Sequence, residues 1–370
     1  MIVPSARVLV DGVIRPGTVR VEGGRIAEVL EGAAGEGVVT PGLVDLHSNG
    51  AFGVDFADAD VGAFRRALAA MARRGTTSVQ PTSITAPAPA LRASLDRCLA
   101  ARDALAGEAV ARVLGAHLEG PFLSAARRGA HRADWLADPS PALLDPLLAH
   151  PALTTMTLAP ERDGALVAIS RLVARGVRVS LGHTDASAEE VAAGADAGAT
   201  LVTHLFNAMR PFGHRDPGVP GAALLDGRLT LGLIGDGGHV HPLACRLAFG
   251  AAAGRVALVS DSIALAGLAP GTVLSFGGMA ATLGADGLAR RDDGTISGAG
   301  TLLDEGVRRM IAAGVDPAVV LDAATRVPAR ALGRGDLGCL VPGACADLVV
   351  WDEAWQPRRV WVGGVEVGGG

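Results

Sequence analysis

Four residues suited to hydrolytic chemistry stand directly after short apolar runs: Glu119 in HLE, His183 in SLGH, His204 in VTH and Asp261 in LVSD. Two imidazoles and one carboxylate can bind Zn²⁺ and leave an open position for water, which is the arrangement that hydrolysis needs. Asp261 would take a proton from the attacking water and later give it to a leaving amine. These residues predict a metal-dependent hydrolase.

Each residue of this set also has a structural interpretation. A histidine at such a position can simply hydrogen-bond a loop carbonyl, and Asp261 can be the N-cap of a helix. Since three metal-ligand types follow separate runs, the metal site is favoured over three independent structural roles. His117 lies two residues before Glu119, one layer deeper if the strand is regular, and we interpret it as structural.

The elements that must position these residues are short and apolar. Near-continuous Val, Leu and Thr are typical of parallel strands buried on both faces. The runs are Leu43–His47, Thr76–Pro81, Val113–Leu118, Thr154–Ala159, Val177–Gly182, Thr200–Thr203, Leu229–Gly235 and Ala257–Ser260. Between them, stretches such as Val61–Arg74 and Pro87–Leu105 have helical periodicity. The pattern predicts an α/β fold, a (β/α)₈ TIM barrel with catalytic residues at the strands' C-terminal ends.

The two ends of the chain have a different pattern, with short strands and tight turns. The predicted strands are Arg7–Val10, Thr18–Val21, Arg25–Leu30, Asp347–Trp351 and, with a Gly363-Gly364 turn, Arg358–Val367. We expect residues 1–42 and 336–370 to form one small β-sandwich domain built from both termini. The barrel domain would then occupy residues 43–335.

Composition excludes several function classes. A net charge of −5 argues against a nucleic-acid partner, and we find no stretch of 18 uncharged apolar residues that would predict a membrane span. The four cysteines form no CxxC pair, which indicates a reduced, cytoplasmic setting. The sequence contains no lysine, so it excludes a Schiff-base lysine, a P-loop lysine and a carbamylated lysine bridging two metals.

Two loops carry further polar residues. The segment 204–218, HLFNAMRPFGHRDPG, includes arginines suited to a phosphate or carboxylate, although Arg210 alone is better explained as a surface residue. The segment 235–242, GDGGHVHP, is Gly-rich enough to approach a ligand closely. We expect His239 to face the site and His241 to be structural.

Ten segments in order resemble the N-acetylglucosamine-6-phosphate deacetylases of the amidohydrolase superfamily. They are PGLVDLHSNG, HLEGPFLS, RRGAH, TLAPE, GHTDAS, THLFNAM, HRDPG, DGGHV, LVSDS and TISGAG, between residues 41 and 300. HLEGP together with THLFNAM and HRDPG is a specific combination. The C-terminal VPGACADLVV is similar to the closing β-segment of amidohydrolases in general.

The resemblance implies a reaction and a set of roles. The substrate would be an N-acetyl amino-sugar 6-phosphate, in the first place N-acetyl-D-glucosamine 6-phosphate, which is converted to the amino-sugar 6-phosphate and acetate. Glu119, His183 and His204 would bind the catalytic metal, and Asp261 would be the acid/base. The residues implied to hold substrate are Asn207, the Ala208 backbone and Arg215 for the phosphate, with His131 and His239 elsewhere. A homodimer is usual in this family.

The first strand leaves the metal count open, because His47-Ser48-Asn49 mixes the His-x-His and Gln-x-Asn patterns of the family. Asn49 offers only a neutral amide where a second imidazole would stand. We therefore expect one divalent ion per chain, Zn²⁺, with His47 and Asn49 lining the pocket or forming part of a second metal site.

The identity of the sugar stays open as well. Gly238 stands where a larger apolar residue is common, Arg210 replaces a small residue or proline, and Ser262-Ile263 replace a smaller pair after Asp261. One alternative is a related amidohydrolase that acts on another N-acetylated sugar or small amide. Another is a non-catalytic binding protein on a barrel scaffold, which would be expected to have lost a metal ligand or Asp261.

Overall fold

Strands alternate with helices through the middle of the chain, whereas strands alone occupy both ends. The computed structural model describes residues 1–33 and 35–368. Its strands are β1 Ile2–Val3, β2 Arg7–Val10, β3 Val13–Pro16, β4 Thr18–Glu22, β5 Arg25–Leu30, β6 Val38–Pro41, β7 Leu43–Ser48, β8 Gly50–Ala51, β9 Val54–Asp55, β10 Thr76–Ile84, β11 Arg112–Val113, β12 Ala116–Glu119, β13 Leu153–Leu158, β14 Arg178–Leu181, β15 Leu201–Val202, β16 Thr230–Ile234, β17 Val256–Val259, β18 Val273–Phe276, β19 Met279–Leu283, β20 Leu288–Arg290, β21 Ile296–Ala299, β22 Leu348–Trp351, β23 Pro357–Val362 and β24 Val365–Glu366. Its α-helices are α1 Val61–Arg73, α2 Ala88–Ala104, α3 Pro141–Leu148, α4 Ala165–Ala174, α5 Ala188–Asp196, α6 Gly218–Leu225, α7 Pro242–Ala251, α8 Leu303–Ala312, α9 Pro317–Ala323 and α10 Arg326–Ala331.

The central sheet is a (β/α)₈ TIM barrel, as the sequence predicts. Its parallel strands follow the order β7, β10, β12, β13, β14, β15, β16, β17. The end of β17 returns to β7 through a parallel bridge between Ser48 and Ser262. Every predicted run overlaps one barrel strand. The third run is interrupted, because Leu114 and Gly115 separate β11 from β12.

A buried carboxylate fastens this closure beside the barrel mouth. Asp45 on β7 accepts hydrogen bonds from the Ser260 hydroxyl at 2.5 Å and the Ser260 N–H at 3.1 Å. Burial raises the pKa of Asp45 to about 6 even though these hydrogen bonds oppose the shift. Asp45 therefore fixes the position of the chain segment that leads into Asp261.

The predicted helices are confirmed to within one residue by α1 and α2. In α1 the residues facing the barrel recur at helical spacing, since Phe64, Leu68 and Met71 are all buried. The Asp60 side chain accepts a hydrogen bond from the Ala63 N–H and begins the helix. Such helices cover the outer face of the barrel strands and leave the strand ends to carry the chemistry.

Strands from the two chain ends form two smaller sheets, one ordered β1-β4-β5 and the other β24-β23-β22-β6-β2-β3. β6 pairs antiparallel with β22, and Trp351 Nε1 donates to Thr40 Oγ1 at 2.8 Å across 311 positions of the chain. Apolar side chains from both sheets share one core, including Val8, Val19 and Trp361.

We propose residues 1–42 and 336–370 as the bounds of a β-sandwich domain, and residues 43–335 as those of the barrel domain. In support of this, β6 ends at Pro41 and α10 at Ala331. Residues 34, 369 and 370 of the proposed sandwich lie outside the described residues.

An antiparallel four-stranded sheet, β18-β19-β20-β21, lies between β17 and α8, where the sequence analysis places none. Its strands have three to five residues, and the Ala-rich β19 gives little alternation. Gly277-Gly278 forms the first hairpin turn, a signal that was present in the sequence. Phe276 and Ala281 pack with Ile263, just after the barrel's last strand. The sheet therefore lies against the barrel mouth.

Within residues 1–33 and 35–368, no helix has both the length and the apolar character that crossing a membrane requires. The four cysteines are free thiols, with Cys98 and Cys245 buried. The cytoplasmic location inferred from the cysteines stays a prediction.

Candidate functional site

Glu119 is the centre of a buried cluster at the C-terminal ends of the barrel strands. Its Oε1 lies 3.1 Å from His183 Nε2 and 3.0 Å from His204 Nε2, and the two imidazole nitrogens are 3.1 Å apart. Glu119 ends β12, whereas the histidines follow β14 and β15. The fold thus brings together the three predicted metal ligands.

The Glu119 oxygen and the two imidazole nitrogens are better explained as ligands of a shared cation than as hydrogen-bond partners of one another. The Arg127 carbonyl accepts a hydrogen bond from His183 Nδ1 at 2.9 Å, so in the neutral ring the Nε2 lone pair faces His204 Nε2. A bound divalent ion satisfies both nitrogens and the Glu119 oxygen with a two-His, one-carboxylate donor set. Burial opposes ionisation of Glu119, but the positive charge of His47 and the hydrogen bonds of His131 and His183 outweigh it and hold the pKa of Glu119 well below its ordinary value.

The backbone at these strand ends is left-handed. His183 has φ 48°, His204 has φ 27° and Asp261 has φ 49°, a region that non-glycine residues occupy at a cost. The turn at His183 follows Gly182, where only glycine fits because an added Cβ would lie 2.6 Å from Thr203 Cβ. The sharp turns direct these polar side chains into the barrel mouth instead of along the strands.

The Asp261 carboxylate faces this cluster. Asn49 Nδ2 donates to Asp261 Oδ1 at 3.1 Å, and His47 Nε2 lies 3.2 Å from the same oxygen. Asp261 caps no helix in the described chain, so the N-cap interpretation is wrong. Its backbone is held by β21, because the Ala299 N–H donates to the Asp261 carbonyl at 2.9 Å.

Gly298 explains part of the TISGAG segment. A Cβ at this position would lie 2.6 Å from Ile263 Cγ2 and 3.1 Å from the Asp261 carbonyl oxygen. Glycine is therefore needed for β21 to approach the chain that carries Asp261.

His47 joins the two acidic groups. Its Nε2 lies 3.4 Å from Glu119 Oε2 as well as 3.2 Å from Asp261 Oδ1. Burial opposes protonation, but the charges of Glu119 and Asp261 outweigh it and raise the pKa of His47 to about 9. Of the two residues expected to line the pocket, Asn49 does so, whereas His47 lies behind the lining residues, close enough to share Glu119 with the predicted metal ligands.

His131 contacts the same carboxylate from the other side. Its Nε2 is 3.6 Å from Glu119 Oε2, while the Thr85 N–H donates to its Nδ1 at 3.3 Å. The hydrogen of the neutral ring is therefore on Nε2. Burial, together with the charge of His183, lowers the pKa of His131 to about 4.

His239 is held in one orientation by Asp236. Its Nδ1 lies 2.6 Å from Asp236 Oδ2, and Asp236 Oδ1 accepts the N–H groups of Gly238 and His239, both at 2.9 Å. Burial opposes protonation of His239, but the hydrogen bond and charge of Asp236 prevail and raise its pKa. His241, interpreted as structural, accepts the Leu243 N–H at the start of α7.

His117 lies one layer deeper in the barrel than the site, in agreement with its interpretation as a structural residue. Its ring is hydrogen-bonded to the Thr157 hydroxyl at 2.7 Å and the Thr82 hydroxyl at 3.2 Å, and it packs edge-on to His47. Burial and the charge of His47 hold the pKa of His117 well below its ordinary value. A neutral His117 therefore supports His47 from the deeper layer.

A cavity of about 210 Å³ lies at the barrel mouth, beside Glu119 and Asp261. Its lining residues are Asn49, Ile84, Glu119, Gly129, Ala130, His131, His183, His204, Asn207, Ala208, His239, Asp261, Phe276, Ile296, Ser297 and Gly298. The sequence pattern does not predict the apolar wall formed by Ile84, Phe276 and Ile296. The last two belong to the unexpected sheet, so only recognition of its Gly-Gly hairpin would have placed them here.

Of the three residues implied to hold a phosphate, two line the cavity and one does not. Asn207 and Ala208 line the cavity, and the Ala208 N–H has no acceptor among the described residues. Arg215 is exposed in the loop before α6 and is not among the lining residues. Arg210 lies 3.4 Å from Asp185 and 3.5 Å from Asp216, in keeping with its interpretation as a surface residue.

The small size of residue 238 is required by a neighbouring side chain and not by the cavity. An added Cβ would lie 2.8 Å from Leu288 Cδ1. Leu288 on β20 therefore fills the space that a larger residue at position 238 would need. The difference from the family pattern at this position does not by itself enlarge the cavity.

Comparisons with known proteins agree with this geometry. The amidohydrolase family model matches residues 38–367. The N-acetylgalactosamine-6-phosphate deacetylase of Escherichia coli O157:H7 is 37% identical over 331 residues, covering 88% of this chain and 87% of that protein. The N-acetylglucosamine-6-phosphate deacetylase of Vibrio furnissii is 34% identical over 337 residues, with coverages of 88% and 81%. A mutant N-acetyl-D-glucosamine-6-phosphate deacetylase of Mycobacterium smegmatis, in complex with N-acetyl-D-glucosamine-6-phosphate, matches with TM-score 0.93, 35% identity and coverages of 100% and 99%.

Proposed function

The chain belongs to the N-acetylglucosamine-6-phosphate deacetylases of the amidohydrolase family, and from this premise we propose how its own residues hydrolyse the N-acetyl group of an amino-sugar 6-phosphate. The observation that carries the proposal is the single cavity in which Glu119, His183 and His204 face Asp261. A binding protein without catalytic activity would have no need of an aspartate aimed at a complete set of metal ligands.

Glu119, His183 and His204 would hold one divalent ion, for which we propose Zn²⁺. When bound, such an ion polarises the acetyl carbonyl and lowers the pKa of water. Asp261 takes a proton from the attacking water, which forms a bond to the carbonyl carbon. When the carbon–nitrogen bond breaks, Asp261 returns the proton to the departing amine, and acetate is released.

Two further histidines would orient the substrate. His131 carries its hydrogen on Nε2, on the side of Glu119, and would donate it to the acetyl oxygen as negative charge develops there. His239, fixed through Nδ1 by Asp236, would offer Nε2 to a sugar hydroxyl. Since Thr85 and Asp236 lock these rings, little conformational freedom is lost when substrate binds.

The phosphate would lie beside Asn207 and the Ala208 N–H. None of the described residues that line the cavity is an arginine. We propose that Arg215 reaches the phosphate when its loop moves toward the bound substrate, because a guanidinium offers paired donors to phosphate oxygens.

The family's homodimer is our proposal for the assembly in solution.

Arg215→Ala tests this assignment. We expect kcat/KM for the phosphorylated substrate to fall by roughly 10-fold or more, since a hydrogen bond to a charged group contributes roughly 1.5–3 kcal/mol. Activity on the unphosphorylated sugar should hardly change. Arg210→Ala is the matched control in the same loop and should retain most activity, because Asp185 and Asp216 already neutralise Arg210. An equal loss on both substrates would assign Arg215 a structural role.

Acetate release tests the substrate. We expect the fastest turnover with N-acetyl-D-glucosamine 6-phosphate, and the galactosamine epimer is the second candidate because a similar relative carries that name. The measurement compares kcat/KM for both epimers and for the two free sugars. Higher activity on the galactosamine epimer would reverse the order, and no acetate from any of the four would refute the proposed reaction.

A further inference from the structure

A second polar cavity lies at the opposite end of the barrel from the metal ligands. Its volume is about 300 Å³, at the lower end of the range for small-molecule sites. Thr200, Thr230 and Arg255 line it where β15, β16 and β17 begin, and Arg330 of α10 lines the other side. The strand ends that carry the chemistry are far from this face, so this cavity is separate from the site already described.

Two of its arginines have no counter-charge. Arg178 and Arg330 form no ion pair with a carboxylate in residues 1–33 and 35–368. The Arg178 guanidinium lies over Gly333, where an added Cβ would be 2.8 Å from Nη2, so it extends from β14 toward the end of α10. No carboxylate of the described residues therefore offsets these two guanidinium groups at the cavity.

A third arginine keeps its charge while being rigidly held. Arg255 Nη1 donates to the carbonyls of Asp226 at 2.9 Å and Leu229 at 2.8 Å, and its Nη2 to the carbonyl of Leu224 at 2.5 Å. The acceptors are neutral carbonyls, so the positive charge is only partly offset. Arg228 differs, since Asp226 and Asp196 each lie 2.6 Å from its guanidinium.

The rest of the lining favours an anion with several acceptor oxygens. None of the described residues that line the cavity is acidic. The Thr200 hydroxyl is buried without a hydrogen-bond partner in the described structure, and Thr230 adds a second hydroxyl nearby. Positive charge is thus concentrated here although the chain as a whole carries −5.

We propose that this cavity, bounded by Arg178, Arg255, Arg330 and Thr200, is a second anion site that binds phosphate, either as the free ion or as the phosphate group of a small phosphomonoester. Guanidinium groups from three elements match the several oxygens of a phosphate better than they match a single chloride. The site is independent of the proposed deacetylation, so either assignment can fail without the other.

Equilibrium dialysis with radiolabelled inorganic phosphate, at fixed ionic strength, tests the site. In Arg178→Gln/Arg330→Gln, bound phosphate should fall by about one equivalent per chain relative to the unmodified protein, because two charged donors are lost. Arg66→Gln/Arg246→Gln removes the same charge from exposed helix positions and should bind like the unmodified protein. Displacement of the label by glucosamine 6-phosphate, compared between the unmodified protein and the Arg178→Gln/Arg330→Gln variant, distinguishes a phosphomonoester ligand of this cavity from the free ion.

The proposal is overturned if both double variants bind as much phosphate as the unmodified protein, or if both lose it equally. Circular dichroism and acetate release, measured on all three proteins, test whether the fold is intact, since none of these arginines lines the proposed catalytic cavity. Loss of one equivalent in the cavity variant, with normal acetate release, supports the second site.

Discussion

Asp261→Asn is expected to lower kcat by at least about 10²-fold, the scale of general acid–base catalysis. The amide keeps the shape of the side chain and can still accept a hydrogen bond from Asn49, but it cannot take a proton from water or deliver one to the amine. Metal content and substrate affinity should stay near their normal values. The measurements are steady-state acetate release, elemental analysis and ligand binding.

Asp316→Asn is a suitable control, because Asp316 is a true helix N-cap that accepts the Ala318 N–H at 2.8 Å. Asparagine caps a helix about as well as aspartate, so this control should leave both stability and kcat nearly unchanged. Near-normal turnover in Asp261→Asn would mean that its carboxylate only holds Asn49 and His47 in place, and another group would have to be the base.

Removal of the metal should have the larger effect. We expect dialysis against a chelator to reduce kcat by roughly 10³-fold or more, because a metal's stabilisation of transition-state charge contributes several kcal/mol. Readdition of Zn²⁺ should restore activity. Glu119→Gln, which replaces the shared carboxylate with a neutral amide, should lose both the metal and the activity. A protein that is fully active after chelation would refute metal-dependent hydrolysis.

The same preparation determines the number of ions. After purification without chelator, we expect about one equivalent of tightly bound metal per chain, since Asn49 offers no imidazole for a second site. The structure also suggests the competing arrangement, because His47 Nε2 lies 3.4 Å from Glu119 Oε2 and 3.2 Å from Asp261 Oδ1. Two equivalents in the unmodified protein and one in His47→Gln would establish that arrangement.

The barrel could be predicted from sequence because its strands are buried on both faces and therefore have a continuous apolar composition. The predicted metal ligands could be grouped because each lies at or just past the end of such a strand, and parallel strands bring their C-terminal ends to one face. β15 shows the limit of this reasoning: only Leu201–Val202 form the strand, yet the turn after it still places His204 beside Glu119.

Features that depend on long-range packing could not be predicted in this way. The β18–β21 sheet has short, Ala- and Gly-rich strands, and nothing local shows that Phe276 and Ile296 reach a cavity at the barrel mouth. The support of His131 by Thr85 joins residues 46 positions apart. Arg215 shows the opposite problem, since its motif indicates a ligand contact while its loop leaves it exposed.

The pairing of β6 with β22 has a consequence for biosynthesis. A ribosome releases β6 early, but its antiparallel partner leaves the exit tunnel only after the entire barrel has been translated. Until then the backbone N–H and C=O groups of Thr40 and the other β6 residues on that edge lack their partners. Such unpaired groups are prone to pair with another nascent chain. Pairing of Leu348–Trp351 with β6 is thus one of the last steps of maturation. A chain truncated before that strand would retain every proposed catalytic residue but would expose an unpaired, aggregation-prone sheet edge.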